Sequence, residues 1–294
     1  MQNLFNKILE IKDKYNSSIE FDSRLIKKND IFFGINSNSR DGGLYALDAI
    51  KNGAILAIIN NKQIVHKNII CIKDVEYFIK RFTDFLIKTY KGKVIAISGS
   101  VGKTTTKENI FHILNNNQFR AFRSFKNYNN ILGLQFSIMN LNLKSQFAVF
   151  ELGINAPLEM NSLIKILQPH YALLTCVEDS HIGNFKNFSD LVSNKTKIFN
   201  SKRLIKGLLN IRDNHFKLPK KLINKVSVIN LENLDIKTHK QKLFIISFKF
   251  NNSNQIIFSD RGGIFLETAV LSFLFLRLFI KKFNNKKFFY KEAI

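Results

Sequence analysis

Apolar and polar stretches alternate along the chain from about residue 20. Ile31-Phe32-Phe33-Gly34-Ile35 reads as a strand, Asn36 to Gly43 as a polar turn-forming loop, about Leu44 to Asn52 as a helix, and Ala54 to Ile59 as a second strand. The loop carries Arg40-Asp41-Gly42-Gly43, which is turn chemistry placed just before the helix. A further helix is predicted over Val75 to Tyr90, and Lys91-Gly92-Lys93 then breaks the pattern, so a domain boundary is expected there. Beyond it the short apolar runs Val94 to Ile97, Phe147 to Phe150 and Tyr171 to Val177 are each followed by a polar or helical stretch. Such alternation predicts an α/β fold: a small α/β N-terminal domain and a central domain with a mostly parallel sheet covered by helices. In such sheets ligands collect at the carboxyl ends of the strands. The run Ile264 to Ile280, interrupted by Glu267 and Arg277, is predicted to be a buried helix and is too short to span a bilayer.

Composition narrows the classes without naming a partner. With 294 residues the chain has room for about two domains, and 45% hydrophobic residues with only 3 prolines fit a folded protein. The net charge of +23 would draw anions, but the lysines are scattered through a chain also rich in Asn, Ile and Phe. Nucleic acid is therefore not expected as a partner. Cys71 and Cys176 lie far apart, which suggests neither a disulfide framework nor a zinc site. The first residues contain no signal-peptide apolar core, so a cytoplasmic location and no integral membrane segment are expected. His66, His112, His170, His215 and His239 have no ligand-like spacing and read as structural or solvated.

The sharpest chemical signal is Ile97-Ser98-Gly99-Ser100-Val101-Gly102-Lys103-Thr104-Thr105, which joins a strand to a helix whose Ile110, Phe111, Ile113 and Leu114 suit a buried face. Gly99 and Gly102 allow a tight turn that points backbone N–H groups inward, and the helix N-terminus adds a positive dipole. Lys103 can neutralise phosphate charge, and the Thr104 hydroxyl can ligate Mg²⁺. The loop is a shorter G-x-x-G-K-T-T variant of the usual phosphate loop, because the earlier position holds Ile97. The same strand-end rule singles out Glu151 after Phe150 and His181 after Val177.

This loop, followed by Thr-Lys-Glu, resembles that of the Mur ligase family, ATP-dependent amide-bond ligases of peptidoglycan precursor synthesis. Asn127-Tyr128-Asn129-Asn130-Ile131-Leu132-Gly133, Glu151-Leu152-Gly153, and Ser180-His181-Ile182 with Phe185 are similar, in order and spacing, to segments of one branch of that family. That branch joins D-alanyl-D-alanine to UDP-N-acetylmuramoyl-tripeptide. Asp22-Ser23-Arg24, Gly34, Asp41-Gly42 and Gly53-Ala54 resemble its uridine-nucleotide domain. The likeness runs from about residue 20 to 275. It departs from the family pattern at Gln135, where proline is common, at Lys197, where glutamate is usual, and at Ile264 and Thr268, where His and Asn are usual.

The resemblance implies ATP and Mg²⁺ as cofactors. It assigns Lys103 to the β/γ-phosphates, with Gly99, Ser100, Gly102, Thr104 and Thr105 around them. Thr104 and Glu151 would hold one Mg²⁺, and His181 would face a second together with Lys195, the lysine that these ligases carbamoylate. Asn210 and Asp213 would lie near the adenosine. Ser23 and Arg24 would contact the uridine nucleotide, and Asn127, Asn129 and Asn130 would serve the substrate. Residues 1–91 would bind the UDP-substrate and residues 92–281 ATP, with 282–294 a basic tail. Family members normally carry a third, C-terminal domain, and this chain stops at Ile294. Two readings stay open: a ligase that draws its third domain from a separate chain or whose reaction tolerates its absence, or a non-catalytic or partial relative that binds ATP or UDP-muramoyl peptide as a regulatory or scaffolding module.

Overall fold

The computed structural model describes residues 1–36, 40–125, 128–178, 182–211, 218–234, 236–240, 244–250, 253–259 and 264–280. The chain divides into two compact units, Met1–Thr89 with Gln135–Leu141, and Tyr90–Leu134 with Asn142–Ile294. The boundary near residue 90 lies where the helical pattern stops, whereas the return of Gln135–Leu141 to the first unit is not visible in local sequence.

In the first unit, helix α1 (Gln2–Tyr15) precedes strands β1 (Ile19–Glu20), β2 (Ile31–Phe33), β3 (Leu56–Ile59) and β4 (Ile69–Cys71). They form one parallel sheet in the order β1-β2-β3-β4. The expected first helix begins with a 3₁₀ turn, Gly42–Tyr45, and continues as α2 (Ala46–Lys51); α3 (Val75–Thr89) closes the unit. Phe32, Ala57 and Ile59 bury one face of the sheet against Ala46 and Ala49 of α2. Each such Ile or Phe contributes roughly 1.5–3 kcal/mol by leaving water. The segment Gln135–Leu141 includes the end of helix α5 (Ile131–Met139). Its Asn140 stands in for a neighbouring strand: Oδ1 accepts from Ile19 N–H at 2.8 Å and Nδ2 donates to Ile19 C=O at 3.0 Å. The open edge of β1 is thereby satisfied by a side chain, and Phe136 packs edge-on against Phe21 beside it.

The second unit is built on a six-stranded, wholly parallel sheet of β5 (Lys93–Ser98), β6 (Ala121–Arg123), β7 (Phe147–Glu151), β8 (Tyr171–Leu174), β9 (Lys206–Asn210) and β10 (Val226–Ile229). Their order is β10-β9-β8-β5-β7-β6, so β5 lies in the interior between β7 and β8. Ile95, Ile97, Leu173 and Leu208 point to one face, where they meet Ile110, Ile113 and Leu114 of α4 (Lys103–Asn116) and the apolar helix α8 (Ile264–Phe279). Ala96, Phe150, Ala172 and Leu174, on alternate positions, are buried as well. A parallel sheet covered on both sides explains why these strands read as continuous apolar runs. Helices α6 (Glu159–Leu167) and α7 (Phe188–Thr196) complete the described helices, and β11 (Lys237–Lys240), β12 (Phe244–Phe250) and β13 (Ser253–Ser259) form a separate antiparallel sheet. Among the described residues no helix is long and apolar enough to cross a membrane. The expected basic tail, 282–294, lies outside the described residues.

Candidate active site

The glycine loop leaves β5 and enters α4 at the carboxyl end of the interior strand. Gly99 and Gly102 have φ of +151° and +81°, conformations that favour glycine. At Gly99 a Cβ would also lie 2.0 Å from Thr175 Oγ1, so the loop closes on β8 only because that atom is missing. The closure is held by Ser100 N–H donating to Cys176 C=O at 2.9 Å and by the Thr175 hydroxyl donating to Val101 C=O at 2.6 Å. Helix α4 starts with no side chain capping its first turn. Its N–H groups and dipole form an anion cradle at the loop.

Lys103 Nζ donates to the carbonyls of Gly99 and Ser100, each at 2.9 Å. Its pKa is lowered chiefly by burial, an effect that the nearby Glu151 carboxylate opposes. The exposed Thr104 donates its hydroxyl to Glu151 Oε2 at 2.8 Å. Strand pairing makes this possible, since Ile97 lies directly opposite Glu151 and the loop and the carboxylate leave neighbouring strands side by side. Glu151 is only 1% exposed. Its Oε1 accepts from Asn129 Nδ2 at 3.0 Å, and Lys107 Nζ lies 3.8 Å from Oε2.

The two oxygens of Thr104 and Glu151 suit a hard cation. Among the described residues no group of three His, Cys, Asp or Glu could hold a metal. One carboxylate and one hydroxyl fit Mg²⁺, which usually takes one or two carboxylates and completes its shell with phosphate oxygens and water.

Lys195 reaches the loop from α7, donating from Nζ to Ser100 Oγ at 3.2 Å. It is 3% exposed, and its pKa is pushed down to about 8, first by burial and then by the Lys103 charge. Ser100 is thus a hub, because its hydroxyl also donates to Glu178 C=O at 3.0 Å and accepts from Glu178 N–H at 2.9 Å. Lys197 turns to Asn194 Oδ1, at 2.7 Å. Thr105 follows Thr104 in the first turn of α4.

The other expected residues take varied places. Asn129 contacts Glu151 and accepts Gly153 N–H on its carbonyl at 3.0 Å, while Asn130 Oδ1 accepts Gly133 N–H at 2.8 Å in the first turn of α5. Asn210, at the end of β9, donates to Thr175 C=O at 2.7 Å and accepts from Leu231 N–H at 3.3 Å, so its amide ties strand ends together. Asn127, His181 and Asp213 lie outside the described residues. Thr268 on α8 stands against the loop: a Cβ at Gly102 would come within 2.8 Å of its methyl group.

In the first unit, Ser23 and Arg24 line a cleft of about 510 Å³ with Phe21, Asp22, Arg40 and Tyr45. Arg24 lies in a two-pronged contact with Asp22, Nε to Oδ1 at 2.9 Å and Nη2 to Oδ2 at 2.7 Å. The hydrogen bond from Arg24 keeps the Asp22 carboxyl below its usual range. Sequence reasoning missed Arg40 and Tyr45 as cleft residues, although Arg40 heads the turn it had singled out. It also missed Lys107, whose signal was its place one helical turn after Lys103.

The parallel sheet, the glycine-forced loop and the strand-end carboxylate define an α/β protein of the phosphate-loop class. The Mur ligase middle domain matches residues 97–271, and the chain belongs to the Mur ligase family. It is 31% identical over 228 residues to the UDP-N-acetylmuramoyl-tripeptide–D-alanyl-D-alanine ligase of Rickettsia prowazekii, covering 76% of this chain and 50% of that protein. The ligase of the same name from Buchnera aphidicola subsp. Baizongia pistaciae is 28% identical, over 87% of this chain and 56% of its own. The chain therefore spans about half the length of these relatives. Among solved structures, MurF from Acinetobacter baumannii shares the fold with a TM-score of 0.72 and 22% identity over 94% of this chain and 63% of its own. MurF ligase from Thermotoga maritima, solved in complex with ADP, does so with a TM-score of 0.72 and 20% identity over 95% and 66%.

Proposed function

We propose that the chain takes part in the ATP-dependent joining of D-alanyl-D-alanine to UDP-N-acetylmuramoyl-tripeptide in the cytoplasm, with Mg²⁺ as the metal. The observation that carries this reading is the contact between Thr104 and Glu151 at the mouth of a glycine-forced loop. The names of the relatives supply the substrates. In the proposed reaction the γ-phosphoryl group passes from ATP to the terminal carboxylate of the tripeptide, ADP leaves, and an acyl phosphate results. The D-alanyl-D-alanine amine then attacks the acyl carbon, the C–O bond to phosphate breaks, and the amine loses a proton.

This chemistry brings anions together, so the site must supply cationic charge and donors. Lys103 would leave the carbonyls of Gly99 and Ser100 for the β/γ-phosphates, where the N-terminus of α4 also points. Mg²⁺, held by Thr104 and Glu151, would neutralise phosphate charge and fix its geometry. A pKa near 8 leaves part of the Lys195 population neutral at physiological pH, and a neutral amine is what carbamoylation requires. Addition of CO₂ to the neutral Nζ amine with loss of a proton would give an anionic carbamate, and this group and His181 would be the residues that serve a second Mg²⁺. Asn210 and Asp213 would serve the adenosine end, and Asn127, Asn129 and Asn130 the peptide end. Ser23 and Arg24 in the cleft would hold the uridine nucleotide, Arg24 exchanging Asp22 for a phosphate.

A second reading is binding of ATP or UDP-muramoyl peptide as a regulatory or scaffolding module, without turnover. Incubation with ATP, Mg²⁺, UDP-N-acetylmuramoyl-tripeptide and D-alanyl-D-alanine, read by mass, decides between them. Pentapeptide product should form and fall by about 10³-fold in Lys103→Ala. Tight nucleotide binding without product favours the binding module, and equal turnover by Lys103→Ala overturns the assignment of the loop.

A further inference from the structure

Four residues beyond Lys103, one turn further along the same helix, Lys107 is fully buried. A lysine is almost never taken wholly out of water without a counter-charge. Its Nζ lies 3.4 Å from Glu108 Oε1 and 3.8 Å from Glu151 Oε2. Glu108 already has a closer cation, because Arg123 Nη1 stands 2.6 Å from its Oε2, and Arg123 is in turn seated over the Phe111 ring at 4.3 Å. Glu151 has around it the neutral donors Thr104 and Asn129 and the charge of Lys103, which is turned to the loop carbonyls. The row Arg123, Glu108, Lys107, Glu151 thus alternates in sign from the protein surface to the phosphate loop.

We propose that Lys107 is a positioning residue, a built-in counter-cation that holds the buried Glu151 carboxylate against Thr104 before any metal arrives. The inference rests on reading Glu151 as a Mg²⁺ ligand and goes beyond it. A carboxylate facing a buried cation on one side and a hydroxyl on the other is presented ready-made to an incoming ion. The metal-free protein meanwhile avoids an unpaired buried anion, which is the costly state.

A thermal double-mutant cycle tests the pairing without any turnover assay. Lys107→Met should lower Tm by about 10 °C, because it strands the Glu151 charge. Glu151→Gln should lower it too, because Lys107 loses one of its carboxylate neighbours, whereas Lys107→Met/Glu151→Gln should recover more than half of the summed loss. Mg²⁺ alone at 10 mM should raise the Tm of Lys107→Met by several degrees more than that of the wild type, since the ion supplies the missing charge. Lys107→Arg should behave nearly as wild type in both measurements. If Lys107→Met does not fold, folding of the double variant supports the pairing, and failure of both overturns it by making Lys107 a packing residue. Additive losses with an equal Mg²⁺ response in every variant also overturn it. Absence of Mg²⁺-dependent ATP binding by the wild type would instead remove the nucleotide reading, and the cycle would still report on the ion pair.

Discussion

Around the glycine loop of the second unit Glu151, at the end of β7, and Lys195, on α7, are 1% and 3% exposed, whereas in the cleft of the first unit the Arg24 side chain is 86% exposed. Both groups of residues lie beside parallel sheets, but they are held by different forces. In the second unit the loop is shaped by backbone that only glycine tolerates, and Lys103 and Lys195 have pKa values lowered by burial. In the first, Asp22 and Arg24 stabilise each other's charge in water, a kind of pair that contributes little to stability. The glycine loop is therefore held in shape by its own backbone, while the Arg24 side chain pairs with Asp22 in water, where changing partner costs little. That division suits the proposed roles, a loop that positions reacting groups and a cleft that captures a nucleotide.

The largest expected effect falls on the glycine loop. Gly99→Ala sets a methyl group against Thr175 and strains the backbone, so Mg²⁺-dependent ATP binding should fall by at least about 100-fold, measured by calorimetry. Unchanged binding would show that the loop is softer than the contrast requires.

A smaller effect concerns the dry interior of the same unit. His170 accepts Val94 N–H on Nδ1 at 3.0 Å and has Arg203 Nη2 2.8 Å from Nε2. Burial, then the charges of Arg203 and Lys93, push its pKa down to about 4. Between its ordinary value of 6.5 and about 4 the unfolded chain binds the proton more readily, so this histidine makes stability rise with pH across that window. In His170→Gln the fall in Tm from pH 6.5 to pH 4 should be shallower than in the wild type. An equal fall would place the pH sensitivity elsewhere.

The smallest effect on folding belongs to the cleft. Arg24→Ala should leave Tm within about 1 °C and yet weaken UDP binding by about ten-fold. A large loss of Tm would erase the contrast between the two units, and unchanged UDP affinity would remove Arg24 from the proposed nucleotide contacts.

Much of this was legible along the chain because it is written locally. The strands β2, β3, β5, β7 and β8 were visible as apolar runs since both of their faces are buried, and Gly99, Gly102, Lys103 and Thr104 lie within one turn of each other. What stayed hidden needs residues that are remote in sequence. Asn140 completes the edge of β1, Asn129 braces Glu151, and Asn210 joins Thr175 to Leu231, all through side-chain amides in an asparagine-rich chain where no single one stands out.

By itself the sequence determined the alternation of strands and helices, the phosphate loop and the strand-end carboxylate, because periodicity, glycine and a charged residue after an apolar run act over a few positions. Only the tertiary structure decided that Lys107 lies buried beside Glu151, that Lys195 reaches Ser100, and that Arg40 and Tyr45 share a cleft with Arg24. Burial and electrostatic pairing are properties of the packed sheet and its neighbours, and a lysine's role depends on which carboxylate the fold brings within about 4 Å of it.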